Sequence, residues 1–320
     1  MKIGIMSDTH LSAQKYSKID RKTGMNKFFV RQFEAFEWAL KYFKEHNVNT
    51  IVHCGDLYDS SRVTVYPIKR TRDLLADFDV WAIKGNHDDN NFLHDQKTSA
   101  LDLTGIHAIN EPYSKVLDEE NNINFVFIPW KYEAKKEMIK KDAFNILLLH
   151  HYPKEFMYED NELYKNNWEV SQSFDLVLTG HYHHIEEFSK GKTRYLNPGS
   201  SLAAFGNEED LEPSVWIFDT ETKEYERVKI PGAVRIVAKE FVDPTDFLTD
   251  IKEENIYRLT VNTLPDKSVI MKAKRIALEV QLKLKQKDEE EHKEAIDDFW
   301  KYTKQNKPEY ESAFREVLVS

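Results

Sequence analysis

Seven side chains of metal-binding type stand directly behind short apolar runs of the sequence. They are Asp8, His10, Asp56, Asn86, His150, His181 and His183. Asp8 and His10 are two residues apart, so on an extended chain both side chains leave the same face and can reach one ion. His181 and His183 share this spacing. The seven residues therefore predict a metal site.

The donor atoms indicate which metals, and how many, this site would hold. Oxygen and nitrogen ligands without thiolate suit Mn²⁺, Fe or Zn²⁺ better than Ca²⁺ or a structural zinc site. Seven ligands are too many for one ion, and the carboxylate of Asp56, behind Gly55, has two oxygens with which to bridge two cations. Two metal ions about 3.5–4 Å apart stabilise the attacking and leaving oxygens in phosphoester cleavage. We therefore expect two divalent ions, Mn²⁺ first, with Mg²⁺, Fe or Zn²⁺ as alternatives.

The positions of these residues imply the elements that carry them. Apolar runs of about four to six residues, bounded by glycine or polar breaks, are typical of strands covered on both faces. Five such runs precede the candidate ligands, at 2–6, 50–54, 80–83, 146–149 and 176–179, and further strands are expected at 124–128, 214–218 and 224–230. The phenylalanine-rich stretch 27–45 repeats with a helical period and predicts an amphipathic helix. Alternating strands and helices predict an α/β sandwich with its chemistry at the carboxyl ends of the strands.

Composition excludes several classes of protein. The chain has 320 residues, 41% of them hydrophobic, which suffices for about two domains with sizeable cores and argues against disorder. The net charge of −10 argues against binding nucleic acid or membrane through bulk charge. A single cysteine, Cys54, excludes an internal disulfide, and the sequence shows neither a signal peptide nor a long apolar run. We expect a cytoplasmic protein, neither secreted nor bound to a membrane.

Glycine usage divides the chain. All ten glycines lie at or before Gly232, and the residues after it contain none. We therefore predict a domain at 1–232 that carries the candidate ligands, a small cap domain at 233–287, and C-terminal helices at 288–320 that either pack on their own domain or bind a partner. Within the cap, a strand is expected at 256–261, followed by a helix whose apolar stripe runs from Val269 to Val280.

Together these motifs resemble a known superfamily. In order along the chain they are Asp8-Thr9-His10, Gly55-Asp56-Leu57-Tyr58-Asp59, Gly85-Asn86-His87-Asp88, His150 and Gly180-His181-Tyr182-His183. One motif alone is weak, but all five in order are specific, and over residues 1 to about 200 the sequence is similar to the calcineurin-like metallophosphoesterases. The resemblance implies a sandwich of two mixed β-sheets flanked by helices, followed here by a small α+β cap and C-terminal helices.

The resemblance also implies a role for each motif residue. One metal ion would be held by Asp8, His10, Asp56 and His183, and the other by Asp56, Asn86, His150 and His181. His87 would face the scissile phosphate and protonate the leaving oxygen, oriented by Asp88. A hydroxide activated by the two metals would attack phosphorus.

Within the superfamily, the chain looks most like the SbcD or Mre-type nucleases of DNA repair and recombination. The segments Ile128-Pro129-Trp130 and Tyr195-Leu196-Asn197-Pro198-Gly199-Ser200 carry this likeness, and the length is closer to that of compact bacteriophage subunits. The likeness implies exonuclease action on duplex ends, endonuclease action on single strands, an SMC-like (SbcC-type) ATPase partner and a homodimer. The alternatives are a small-molecule or protein phosphoesterase on the same scaffold, or a structural subunit with vestigial activity that positions DNA.

Candidate substrate contacts are basic residues near two of the motifs and one further histidine. The candidates are Arg62, Lys69, Arg70, Arg72 and His184, with Lys190, Lys192 and Arg194 behind the last motif. Each basic residue can receive a DNA phosphate or lie on a solvated face, and the sequence does not decide between the two. The sequence likewise allows two roles for Asp59, which either supports Asp56 or caps the following turn.

Overall fold

The strands and the helix expected within residues 1–232, and the strand expected at 256–261, are present in the structure. The computed structural model describes residues 1–12, 18–89, 98–151, 162–202, 211–241, 251, 255–261, 267–277 and 279–284. Its strands and α-helices follow in the order β1 (Lys2–Met6), α1 (Lys27–Glu45), β2 (Val48–His53), α2 (Val65–Leu75), β3 (Asp79–Ile83), β4 (His107–Ile109), β5 (Tyr113–Asp118), β6 (Ile123–Ile128), β7 (Phe144–Leu149), α3 (Glu162–Ser171), β8 (Leu176–Thr179), β9 (Glu186–Lys190), β10 (Thr193–Asn197), β11 (Ser214–Asp219), β12 (Tyr225–Lys229), β13 (Ile236–Phe241), β14 (Ile256–Val261), α4 (Lys267–Ile276) and β15 (Glu279–Leu284). Helix α1 and strands β1, β8 and β14 have the predicted boundaries.

Most of the strands form two mixed sheets. The first has the order β12-β11-β1-β2-β3-β4 and the second the order β5-β6-β7-β8-β10-β9. Strands β1 to β4 pair in parallel, as do β6, β7, β8 and β10. Antiparallel strands complete each sheet at its edges. The predicted α/β sandwich of two mixed sheets is confirmed.

Apolar side chains alternate between the faces of each sheet and so create separate core layers. Ile5 and Val52 of the first sheet belong to one buried cluster with Phe125 and Leu148 of the second. The outer face of the first sheet packs against α1. The two come close together where the Phe43 ring of the helix lies over Gly4 of β1. A Cβ at Gly4 would lie 2.8 Å from the Phe43 ring, so a larger residue would push the helix away.

The outer face of the second sheet is covered by α3 and by the connection from β6 to β7. Val126 and Leu147 of the sheet cluster with Val170 of α3 and with Ala134 of the connection. Each sheet is therefore buried on both faces, which explains the continuous apolar runs that mark β6 and β7 in the sequence.

A third sheet follows the sandwich. Strands β13, β14 and β15 pair in parallel, and α4 packs on them through Ala273, with Ala277 directly after the helix in the same cluster. The predicted helical stripe from Val269 to Val280 is wrong at its end, because α4 stops at Ile276 and Val280 lies in β15. From Val280 onward the apolar residues alternate with polar ones, which is the period of a strand.

The third sheet contacts the sandwich at the end of α4. The ammonium of Lys18, in the loop after β1, donates to the carbonyl oxygens of Arg275 at 3.1 Å and Ala277 at 2.6 Å. A cation is favourable there because the carbonyls at a helix C-terminus carry partial negative charge. The predicted C-terminal helices at 288–320 lie outside the described residues, and the domain boundaries stay predictions. Within the described part of the chain, no helix combines the length and apolar content that crossing a bilayer requires.

Candidate metal centre

The candidate ligands lie on loops at the carboxyl ends of β1, β2, β3, β7 and β8. Four of them have left-handed backbone conformations, with φ of 47° at Asp8, 43° at His10, 55° at Asp56 and 74° at His181. Residues other than glycine rarely adopt such angles, and those that do cluster at functional sites. The expectation that Asp8 and His10 share a face of an extended chain is therefore wrong. Left-handed backbone at both residues brings them together instead, with their N–H groups bonded to the carbonyl oxygens of Gly55 and Asp56.

One cluster consists of Asp8, His10 and His183, whose ligand atoms all lie within 4.8 Å of one another. The Nε2 atoms of His10 and His183 are 3.2 Å apart, and Nε2 of His183 is 3.6 Å from Oδ1 of Asp8. The backbone N–H of His181 donates to Oδ1 of Asp8 at 3.1 Å, and the Ser7 hydroxyl donates to Oδ2. The Asp8 carboxylate is thus fixed with its charge beside two imidazoles.

A second cluster consists of Asp56, His150 and His181. Nε2 of His150 is 3.2 Å from Oδ2 of Asp56. The Oδ1 atom of Asn86 lies 3.0 Å from Nε2 of His150 and 2.9 Å from Nδ1 of His181. The same Oδ2 of Asp56 is also 3.8 Å from Nε2 of His10, so this carboxylate stands between the two clusters.

The imidazole of His150 is oriented by the backbone directly after β2. Its Nδ1 donates to the carbonyl oxygen of Cys54 at 2.7 Å, which turns Nε2 toward Asp56. Burial by itself lowers the pKa of His150, but the Asp56 carboxylate outweighs burial and raises this pKa to about 9. Burial also acts to raise the pKa of Asp56, yet His150 and His10 hold it below its ordinary value. Asp56 is therefore ionised, as a carboxylate that binds a cation must be.

Two glycines leave room for the ligands. A Cβ at Gly85 would lie 2.0 Å from Oδ1 of Asp56, and one at Gly55 would lie 2.2 Å from Nδ1 of His150. Both distances are far shorter than any contact between real atoms, so any larger residue would displace a ligand. These positions require glycine because functional side chains fill the space.

His87 lies beside the two clusters, but its partner differs from the predicted one. Its backbone N–H donates to Oδ1 of Asp56 at 2.8 Å, and its Nδ1 is 3.0 Å from the carbonyl oxygen of Asp59. Asp88 was expected to orient His87, whereas its buried carboxylate accepts from the backbone N–H groups of Leu57, Tyr58 and Gly85. Asp88 therefore holds two ligand loops together, and Asp59 occupies the orienting position.

The Asp59 carboxylate contacts His10, which neither of its two predicted roles includes. Its Oδ1 lies 3.4 Å from Nδ1 of His10, so the carboxylate lies behind His10 and not behind Asp56. At this distance the carboxylate places negative charge beside His10 without forming a hydrogen bond to its Nδ1.

Further residues that sequence reasoning did not assign to the site support it. The Ser200 hydroxyl donates to the carbonyl oxygen of Asp8 at 2.8 Å, and the backbone N–H of Ser7 donates to the Ser201 hydroxyl at 3.0 Å. The Trp130 ring lies 5.2 Å from that of His181 and forms a wall of the site. Trp130 and Ser200 belong to segments that carry the family likeness, which was the available signal.

The donor set fits divalent cations. Asp8 and Asp56 are both buried, and among the described residues neither pairs with a lysine or arginine. Two buried carboxylates with only imidazoles beside them are costly, and divalent cations would lower that cost. Seven oxygen and nitrogen donors converge where two ions could share Asp56. The assignment of each ligand to an ion stays a prediction.

Most of the residues predicted to contact substrate form ion pairs or ring contacts with other side chains. Arg70 pairs with Glu37 and lies 4.6 Å over the Phe33 ring, and Lys69 pairs with Asp73. The corresponding partners behind the last motif are Trp168 for Lys190, Asp175 for Lys192 and Glu224 for Arg194. These residues are therefore engaged on their own surfaces.

The remaining candidates are Arg62, Arg72 and His184. Arg62 and Arg72 are exposed and form no ion pair with a described residue, and Arg62 lies three positions after Asp59. His184 is half-buried, with its ring 5.1 Å from that of Tyr182. Arg62, Arg72 and His184 thus stay predictions as substrate contacts.

Comparison with known proteins adds a family match. A model of the calcineurin-like phosphoesterase superfamily domain matches residues 1–223. The chain is similar to the DNA double-strand break repair protein Mre11 of Methanosarcina acetivorans, at 24% identity over 202 residues that cover 58% of this chain and 31% of that protein. It is also similar to phosphodiesterase MJ0936 of Methanocaldococcus jannaschii, at 27% identity over 71% of this chain and 98% of that protein. The chain spans about a third of the length of the Methanosarcina Mre11 proteins.

Solved structures show the same likeness at low identity. An archaeal phosphodiesterase is 22% identical, with a TM-score of 0.42 over 72% of this chain and 99% of that one. Vacuolar protein sorting 29 from Cryptosporidium parvum is 14% identical, with a TM-score of 0.36 over 71% of this chain and 85% of that one.

Proposed function

The chain belongs to the calcineurin-like phosphoesterase superfamily, and from that membership we propose that it is the nuclease subunit of a DNA repair or recombination complex. As a member it is a hydrolase of phosphoester bonds that uses divalent metal ions. The proposal adds the substrate, which is DNA, and the preferred metal, which is Mn²⁺.

The observation that carries the hydrolytic proposal is the position of Asp56 between two clusters of ligands. Its Oδ2 is 3.2 Å from Nε2 of His150 and 3.8 Å from Nε2 of His10. Asp8, His10, Asp56 and His183 would hold one ion, and Asp56, Asn86, His150 and His181 the other. Two such ions stabilise charge on the phosphate oxygens and make water acidic enough to ionise near neutral pH.

The protein's own contribution to the reaction centres on His87. Unlike the ligands, His87 is exposed, and its ring packs edge-on against that of His10 at 4.7 Å. The Asp59 carbonyl oxygen holds Nδ1, so the other nitrogen is available to a phosphate at the ligand clusters. An imidazole so placed can donate a proton to the leaving oxygen.

DNA as the substrate is supported by the similarity to Mre11, whose name describes double-strand break repair. The family likeness further implies exonuclease and endonuclease action, an SMC-like ATPase partner, a homodimer and a cytoplasmic location, all of which stay predictions. A second candidate is a phosphodiesterase of smaller substrates. It is favoured by the similarity to phosphodiesterase MJ0936, which extends over 98% of that protein.

Cleavage assays on matched substrates test both candidates. Purified protein is incubated with Mn²⁺ and with labelled duplex DNA, labelled single-stranded DNA or a chromogenic phosphodiester. Asp56→Ala should abolish turnover of all three, and His87→Ala should lower it by about 10²–10⁴-fold. His107→Ala is the matched control, because His107 is an exposed histidine that stacks on Trp81 away from the ligands.

Each outcome separates the candidates. If both Asp56→Ala and His87→Ala still cleave DNA, the proposed site is not the catalytic site. Turnover of the chromogenic phosphodiester without cleavage of DNA would favour the second candidate. Repeating the assay with Mg²⁺, Fe²⁺ and Zn²⁺ after chelation tests the preference for Mn²⁺.

A further inference from the structure

We propose that the connection from β6 to β7 is a binding path for the phosphates of a nucleic-acid strand that leaves the metal centre. This segment, residues 131–142, is called the lysine crossover below. The inference rests on the proposed nuclease function and names a surface that carries the substrate. The basic residues expected for this task lie on other parts of the chain.

The lysine crossover begins at the metal centre. Trp130, the residue before it, stands against His181 with ring centroids 5.2 Å apart. The Lys131 ammonium lies 2.8 Å from Oδ2 of Asp89, two positions after His87. Lys131 is thus paired with Asp89 and marks the start of the crossover beside the metal centre, while the charges offered to phosphates come from the lysines that follow it.

The crossover then runs the length of the second sheet. Strands β6 and β7 are parallel and paired from Ile123 with Phe144 to Ile128 with Leu149, so the connection must return from the carboxyl edge to the amino edge. Six strand residues correspond to roughly 20 Å. At about 3.4 Å per phosphate along one strand of a duplex, that length corresponds to about six phosphates.

Four lysines project from this path. Lys135, Lys136, Lys140 and Lys141 are exposed and form no ion pair with any described residue. With Lys131, they give the crossover five lysines against three acidic residues, a net charge of +2 in a chain whose net charge is −10. This local excess of positive charge begins where a phosphate must be bound.

Two buried asparagines hold the crossover's backbone in place. Asn167 of α3 donates from Nδ2 to the carbonyl oxygen of Tyr132 at 3.1 Å and accepts from the N–H of Ala134 at 2.7 Å. Asn145 of β7 accepts from the N–H of Lys140 at 2.9 Å and donates to its carbonyl oxygen at 3.0 Å.

Because the two asparagines fix its backbone, the lysine crossover can bind phosphates without first becoming ordered. Ala134 is buried, and Met138 and Ile139 pack on the sheet's outer core, so the lysines extend from a backbone that is already ordered. Preorganised charges bind a polyanion at a smaller cost in conformational entropy than charges on a free loop.

A nucleic acid fits this surface better than an acidic protein does. Protein interfaces bury aromatic and aliphatic anchors at their centre, whereas Tyr132 is the crossover's one exposed large apolar side chain in the described residues. Isolated ammonium groups spaced along a path are typical of contacts with phosphates.

The experiment compares two variants that lose the same charge. The test variant is K135Q/K136Q/K140Q/K141Q, and the matched control is K22Q/K41Q/K115Q/K272Q, which removes four exposed lysines elsewhere. Affinity for a labelled DNA duplex is measured by fluorescence anisotropy in EDTA over a range of KCl concentrations. Turnover of the chromogenic phosphodiester in Mn²⁺ and the melting temperature are measured in parallel.

We expect the test variant to bind at least about tenfold more weakly at low salt, with a salt dependence of log K whose slope is smaller by about 3 to 4. The control should keep the slope of the wild type, and both variants should keep chromogenic turnover and melting temperature. An unchanged slope in the test variant would overturn the inference while leaving the nuclease proposal intact. If copurification with an ATPase were lost instead, the surface would belong to a protein partner.

Failure of the function itself has a different signature. If the wild-type protein turns over the chromogenic phosphodiester but neither binds nor cuts DNA, then the nuclease proposal and the lysine crossover inference are both wrong. In that case the phosphoesterase chemistry still stands.

Discussion

The candidate metal centre depends on residues held in unfavourable local conformations. Asp8, His10, Asp56 and His181 all have positive φ, a strain of about 1–3 kcal/mol each that the surrounding contacts must offset. Those contacts are identifiable. For example, the N–H of His87 binds Oδ1 of Asp56, and the Ser200 hydroxyl binds the carbonyl oxygen of Asp8. The ligands are thus held by hydrogen bonds within the protein itself.

Gly85→Ala tests this close packing at the scale of one methyl group. The new Cβ would lie 2.0 Å from Oδ1 of Asp56, so the carboxylate would have to move away from the position between the clusters. We expect phosphodiester turnover to fall by about 100-fold or more, with weaker Mn²⁺ binding by calorimetry. Gly191→Ala is the control for activity: nothing lies within 4 Å of its Cβ, so turnover should be kept, although its φ of 61° makes the substitution cost some stability. Full activity in Gly85→Ala would contradict the arrangement of Asp56.

At the scale of elements, the outer face of the second sheet depends on polar contacts as much as on apolar ones. Asn167 is completely buried in α3, and its side chain satisfies two backbone groups of the β6–β7 connection. A helix, a sheet and a connection without regular structure over most of its length are thereby joined.

Asn167→Ala should release this connection. Losing both hydrogen bonds leaves two backbone groups without partners, which costs about 2–4 kcal/mol in the free energy of unfolding. Urea denaturation measures the loss, and hydrogen exchange should increase at residues 131–143. Asn166→Ala provides a comparison, since Asn166 is adjacent but only half-buried. Equal stability of the two variants would refute the clamping role.

At the scale of the whole molecule, the two sheets are connected at the end opposite the metal centre. The Asp118 carboxylate, at the end of β5, accepts from the Thr220 hydroxyl at 2.6 Å, just after β11. It also accepts from the N–H of Asn121 at 3.1 Å. One strand belongs to each sheet, so Asp118 links the sandwich's two halves.

Asp118→Asn should destabilise the protein in a pH-dependent way. Burial acts to raise the pKa of Asp118, but hydrogen bonds from Thr220 and Asn121 outweigh it and lower this pKa. A carboxyl with a lowered pKa in the folded state stabilises the fold above its unfolded pKa of about 3.9, and that stabilisation is lost as the pH falls toward the folded value. We expect the variant to lose about 2 kcal/mol at pH 7 and the difference to shrink below about pH 4.

Thermal unfolding of the wild-type protein and the variant between pH 3 and pH 7 measures this effect. Asp142→Asn, at an exposed aspartate, should behave like the wild type throughout. A difference between wild type and Asp118→Asn that does not depend on pH would mean that the Asp118 charge has no part in joining the sheets.

The sequence by itself determined the elements that carry the site and the residues that compose it. Strand runs such as 2–6 and 176–179 are readable because each sheet is covered on both faces, which demands continuous apolar residues. The ligand types are readable because polar residues directly behind buried strands have few other roles. At Val280 the spacing of apolar residues fits both a helix and a strand. The sequence pattern predicts a helix there, whereas α4 ends at Ile276 and Val280 lies in β15.

Only the tertiary structure decided which groups touch. The left-handed backbone that places Asp8 beside His10, the contact of Asp59 with His10, and the hydrogen bonds of Asp88 to two loops all depend on loops from different strands meeting at one edge. The same is true of charge, since Arg70 and Lys69 are paired on their own surfaces while the lysine crossover is exposed beside the metal centre. Residue type and spacing are local properties, whereas partners across the fold are fixed by the packing of both sheets.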